Sequence, residues 1–170
     1  MRIYTLGIGH RPVYEFSRLL TKFGIQVLFD IRPKPPPTPA YSRSALEQLC
    51  STQKINYVYL GNELQPPAER NDIKDWRGSE AFKRGLKIIA GKVPTRVCCL
   101  VCSCYQPDHC HRLVITNELA QQGIEVIHIL EENRFWSNPR GRPLGLQHPR
   151  RTRTGEDTKE GYQRDGYRAD

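Results

Sequence analysis

Three short runs in this chain are apolar at nearly every position: residues 25–31 (IQVLFDI), 97–102 (VCCLVC) and 124–130 (IEVIHIL). A strand with one wet face alternates between apolar and polar residues, whereas a strand covered on both faces does not. Continuous runs of this length therefore belong inside a parallel sheet with helices on either side. Residues between them recur at helical spacing, as with Val13, Phe16, Leu19, Leu20 and Phe23. Two further strands, residues 2–7 and 56–60, complete the set. Strands alternating with helices on short connections predict a three-layer α/β/α fold with a mainly parallel five-stranded sheet.

Local signals set the expected boundaries. Gly24 and Gly123 stand where helices end. Residues 32–41 hold five of the thirteen prolines, which excludes regular structure there. Ser44 and Glu47 have capping-box spacing and open a helix running to Thr52. Residues 61–78 read as one long polar loop, and Ser79 caps the next helix, with Phe82, Leu86, Ile89 and Ala90 on its apolar face. Residues 1–132 form the expected domain. From 133 to 170 the periodicity disappears, and residues 133–154 carry six arginines and no acidic side chain. This irregular basic tail has too few apolar residues to offset its ordering entropy, and disorder is the expectation.

Charge and cysteine usage narrow the function classes. The formal net charge is +8, which suits phosphate-bearing ligands, nucleotides or nucleic acid as partners. No apolar run approaches the roughly 20 residues of a membrane span, and the start lacks a signal-peptide pattern. Five of the six cysteines fall between Cys98 and Cys110, crowded onto one strand and its loop. That spacing cannot staple a secreted fold, and a reducing cytoplasm is the expected compartment.

In an open parallel sheet, ligands collect outside the carboxyl ends of the strands. The residues expected there are Gly7, His10 and Arg11 after the first strand, then Asp30, Arg32 and Lys34 after the second. Glu63 follows the third, and Cys102, Cys104, Cys110, His111 and Arg112 follow the fourth. Cys110 stands where a helix begins, next to His111 and Arg112, and that setting favours thiolate and anion alike. Cys110 or Cys102 is thus the expected nucleophile, with His111 carrying protons and Arg112 and Arg32 clamping an anion. Asp30 would orient an arginine, and Arg112 is a candidate partner for it. Cys50, Cys98, Cys99 and His128 read as core residues.

Cys102, Cys104, His109, Cys110 and His111 are also the right types to ligate zinc. The spacing Cys-x-Cys-x5-Cys-His nevertheless lacks the Cys-x2-Cys pair of a recognisable zinc knuckle, so no metal ligand is assigned from sequence. Gly7-x-Gly9 is too short for a dinucleotide fingerprint, and no cofactor is identified.

The stretches YTLG at 4–7, FDIR at 29–32, YVYLG at 57–61, LVC at 100–102 with Pro107, Cys110-His111-Arg112, and VIHI at 126–129 resemble a bacterial and archaeal family, the domain-of-unknown-function family numbered 488. The resemblance covers about residues 2–130. It implies a small cytoplasmic α/β domain and supplies no reaction. Two positions depart from the family pattern. Ile8 follows Gly7 where members carry histidine, and Cys104 stands where members commonly carry glutamate.

These features point first to an α/β protein with a Cys/His/Arg anion site, performing thiol-dependent transfer or hydrolysis on a phosphate-bearing or nucleic-acid-related ligand. The rival class is a non-catalytic nucleic-acid-binding module that docks with its arginine-rich tail and keeps its cysteines for structure, with or without zinc.

Overall fold

The computed structural model describes residues 1–34, 39–68, 72–108 and 110–138. In chain order the elements are β1 (Arg2–Gly7), α1 (Val13–Lys22), β2 (Val27–Asp30), a 3-10 turn (Pro39–Tyr41), α2 (Arg43–Thr52), β3 (Asn56–Tyr59), α3 (Ile73–Gly78), α4 (Glu80–Lys92), β4 (Cys98–Cys102), α5 (His111–Gln121), β5 (Glu125–Glu131) and β6 (Arg134–Asn138). One sheet runs in the order β3-β2-β4-β1-β5-β6. The first five strands pair in parallel and β6 pairs antiparallel to β5.

The apolar runs sit in the sheet as their composition requires. In β4, Cys98, Leu100 and Cys102 pack with residues of α4 and α5, while Cys99 and Val101 pack with residues of α1 and α2. β2 divides the same way, with Val27 and Phe29 on the α4/α5 face and Leu28 on the other. All five β4 side chains are buried, so every position on this strand is a core position.

Three expectations change. The sheet has six strands rather than five, because residues 134–138, placed by sequence in the tail, fold back on β5. Their two adjacent aromatics grip opposite faces: Phe135 meets Phe23 with ring centroids 6.5 Å apart, and Trp136 meets His128 at 4.1 Å. The N-cap of α2 is Ser42 rather than Ser44, its side chain accepting from the Ala45 backbone N–H at 3.2 Å. Tyr41 fixes that start by donating its hydroxyl to the Arg11 carbonyl at 2.8 Å. Finally, the long loop after β3 contains a six-residue helix, α3. Tail residues 139–170 lie outside the described residues. No helix among the described residues is long and apolar enough to cross a membrane.

Candidate functional site

β1 and β4 are neighbours, yet the chain leaves them in opposite directions. From β1 it crosses to β2 through α1, packed on one face; from β4 it crosses to β5 through α5, packed on the other. The crevice between their carboxyl ends is the topological switch point, where open α/β sheets bind ligands. Gly7 and Cys102 face each other there in register. The pairing continues past both strands, with Ile8 N–H donating to the Cys102 carbonyl and Gly9 N–H to the Ser103 carbonyl, each at 2.9 Å. The loop after β4 presses so closely on Gly7 that a Cβ there would lie 2.0 Å from the Cys104 carbonyl oxygen. Only glycine leaves room for that backbone.

Three sulfurs meet at this point. Cys102 ends β4, Cys110 is the N-cap of α5, and their Sγ atoms stand 3.1 Å apart. Cys104, on the connecting loop, completes a group whose Sγ atoms all lie within 4.8 Å of one another. Cys102 and Cys110 are buried and Cys104 is exposed. The Cys110 sulfur accepts from the Arg112 backbone N–H at 3.4 Å, a capping bond at the positive end of the helix.

The thiols share protons within this group. Hydrogen bonding toward Cys104 raises the Cys102 thiol to about 11, with burial adding to it. Cys110 is pushed up through its bonds with Cys102 and Cys104 and by burial. Cys104 is held down, first by its bond with Cys102 and then by its bond with Cys110, with His111 and Arg112 nearby adding to the effect. The shifts run in opposite directions, favouring negative charge on the exposed sulfur over the buried pair. The sequence placed the reactive thiol at Cys110 or Cys102.

His111 and Arg112 flank the cluster. Nε2 of His111 donates to the Ile31 carbonyl at 2.9 Å, which leaves Nδ1 as the bare nitrogen, 3.8 Å from Cys110 Sγ. Burial lowers the His111 pKa, against the opposing pull of the Ile31 carbonyl, which favours the neutral ring. Arg112 is 1% exposed. Its Nη2 donates to the Tyr105 carbonyl at 3.0 Å, while Nε and Nη1 have no hydrogen-bond partner among the described residues.

The other residues read from sequence are placed differently. Asp30 alternates with Phe29 and Ile31, so it lies on the sheet face opposite α5 and does not meet Arg112. Its partner is Arg32, whose Nε donates to Oδ1 at 2.8 Å and Nη2 to Oδ2 at 2.6 Å. Tyr57 also donates to Oδ2 at 2.7 Å, and Arg32 Nη1 reaches the Tyr41 carbonyl at 2.7 Å. Arg11 is likewise fully engaged, by the Gly7 and Leu130 carbonyls, by Glu15 and by the Tyr105 ring. His10 is exposed, and Glu63 is half-buried, with its Cβ close to Gly85 of α4. His109 lies outside the described residues.

A cleft of about 300 Å³ opens at the cluster, and its walls include Lys34, Pro66, Ser103, Cys104 and His111. Cys104 and Lys34 were expected at this edge of the sheet from sequence, but neither was given a role in catalysis or ligand binding. A further signal for Cys104 was its place two residues past the strand-end cysteine, where relatives were expected to carry an acid.

Fold and site together define a doubly wound α/β protein with a thiol-rich centre at its switch point. The family model described as "domain of unknown function DUF488" matches residues 12–119, more than half of the chain, and the protein belongs to that family. No curated protein and no solved structure matches the chain.

Proposed function

We propose that the switch-point cluster is the centre of a thiol-dependent transfer or hydrolysis reaction on a phosphate-bearing ligand, with Cys104 as the sulfur that meets the ligand. One observation carries this reading: Cys104 is the exposed member of a three-thiol group and forms part of the wall of a cleft, with the buried Arg112 guanidinium near enough to act on its charge. Cys102 and Cys110 stabilise charge on it by donating S–H bonds. The Cys104 sulfur displaces the leaving group from phosphorus, and in hydrolysis water then displaces the sulfur, giving its proton to His111 Nδ1, which passes it to the leaving group of the next turnover. Lys34 supplies positive charge on the cleft wall, and the N-terminus of α5 adds to it. In this chain the thiol of Cys104 replaces the acid expected at the same position, so nucleophilic rather than acid–base chemistry falls to that residue.

Inorganic pyrophosphate is a suitable probe. Added in excess to the full chain, it is expected to raise the melting temperature and to slow iodoacetamide labelling of Cys104, both effects weakening in Lys34→Ala. A melting temperature and a labelling rate that ignore pyrophosphate would overturn the anion-site reading.

A further inference from the structure

We infer that Cys102, Cys104 and Cys110, with His111 as the fourth donor, hold a thiophilic divalent cation of the zinc type. Three independent features of the site point there. First, the three Sγ atoms already lie within 4.8 Å of one another. In a tetrahedral thiolate centre, metal–sulfur bonds of about 2.3 Å put neighbouring sulfurs nearly 4 Å apart, so little movement separates this group from a ligand set. The sulfurs come from a strand end, a loop and a helix N-cap, which gives two fixed donors and one on the adaptable loop.

Second, His111 carries the hydrogen bond that metal-ligating histidines use to fix their orientation. One ring nitrogen is tied to a backbone carbonyl, here Ile31 at 2.9 Å. The other, Nδ1, is left bare 3.8 Å from a ligand sulfur, Cys110 Sγ.

Third, the charges balance. Arg112 is 1% exposed, and its Nε and Nη1 are buried without hydrogen-bond partners among the described residues. A buried guanidinium needs a negative partner. The buried carboxylate of Asp30 is held by Arg32 on the opposite sheet face. Three thiolates and one divalent cation carry a net charge of −1, which balances the charge of Arg112, whose field already acts on all three sulfurs.

The cation site concerns the sulfurs of the thiol reading and rests on it only in taking Cys104 as the sulfur that faces the cleft. Bound there, the cation would hold all three sulfurs deprotonated.

The test is titration of the chelator-treated full chain with cobalt(II), followed by absorption. Expected are one cobalt per chain, thiolate-to-cobalt charge transfer in the near ultraviolet and the visible bands of tetrahedral coordination. His111→Ala is expected to retain the charge transfer while shifting the visible bands. Cys104→Ser, at an exposed position that leaves the core intact, is expected to weaken binding by at least about tenfold. Cys50→Ala, a cysteine on the other face of the sheet, should change nothing in the spectrum. Absence of charge-transfer absorption, or a spectrum unchanged by Cys104→Ser, would overturn the cation site. The two readings fail separately. Cobalt bands without fast alkylation of Cys104 in the cation-free chain would keep the site and remove the nucleophile; fast alkylation without cobalt bands would do the reverse.

Discussion

Arg32 grips both carboxylate oxygens of Asp30 in a space that neither side chain shares with solvent. Both are 0% exposed, and Tyr57 and the Tyr41 carbonyl take up further bonding capacity around the pair. The pair locks the end of β2 to the start of α2, directly behind the strand end that receives His111. Asp30→Ala would strand a buried cation, and breaking such a pair by removing one partner costs about 3–5 kcal/mol. Urea denaturation should show a loss of that size. A loss under about 1 kcal/mol would mean that the pair is not buried as described.

Gly7 gives a second, local prediction. A methyl group at this position has nowhere to go, since the Cys104 and Tyr105 carbonyls close over it. Gly7→Ala is expected to push the loop off the end of β1, lowering the melting temperature and separating Cys104 from Cys102 and Cys110. The check is cobalt binding beside thermal unfolding, with both impaired. Unchanged binding would show that the loop does not depend on Gly7.

Trp136 tests the sixth strand. It is buried on β6 and lies against His128 on β5. Trp136→Ala removes most of what fastens this edge, and a loss of about 3 kcal/mol is expected, the lower end for truncating a buried tryptophan. Hydrogen exchange should show faster exchange in residues 134–138 while β4 stays protected.

Alkaline pH should weaken the fold for a reason that has nothing to do with the site. Burial pushes Cys50 up from 9.0 to about 12, Cys98 from 9.0 to about 11 and Tyr41 from 10.0 to about 12. Each group keeps its proton to higher pH when folded than when unfolded. The stabilisation they contribute is complete below pH 9, where both states are protonated, and is lost as pH rises through 11–12. Between those limits each group lowers stability by about 1.4 kcal/mol per pH unit. Denaturation midpoints measured from pH 7 to pH 11 should be flat at first and then fall. A midpoint that rises above pH 9 would contradict these burials.

The parallel core of the sheet was legible because residues 25–31, 97–102 and 124–130 are apolar on both faces, and few other structures use such runs. β6 was not, since residues 134–138 offer only Phe135 and Trp136 as apolar contacts and the turn before them, Glu132-Asn133, lacks glycine. Reading what ends each strand named Cys102, Cys104, Cys110, His111 and Arg112, which the fold gathers at one edge, but not how the residues after the other strands pair. Arg112 was a candidate partner for Asp30, yet strand alternation puts that carboxylate on the far face and hands it to Arg32, two residues along. The zinc-type residues were recognised from sequence but no ligand was assigned, because their spacing was judged along the chain. A strand end, a loop and a helix cap can bring Cys-x-Cys-x5-Cys together in space without any Cys-x2-Cys pair.

The most direct test of the account is a peptide map of the first thiol alkylated when the native, cation-free chain meets limiting iodoacetamide at neutral pH. Cys50, Cys98 and Cys99 are buried and should stay unlabelled until the chain unfolds. The account requires label on Cys104 first, at a rate well above that of an ordinary exposed thiol, and a slower rate in Arg112→Met. First labelling at Cys102 or Cys110, or no fast site at all, would contradict it.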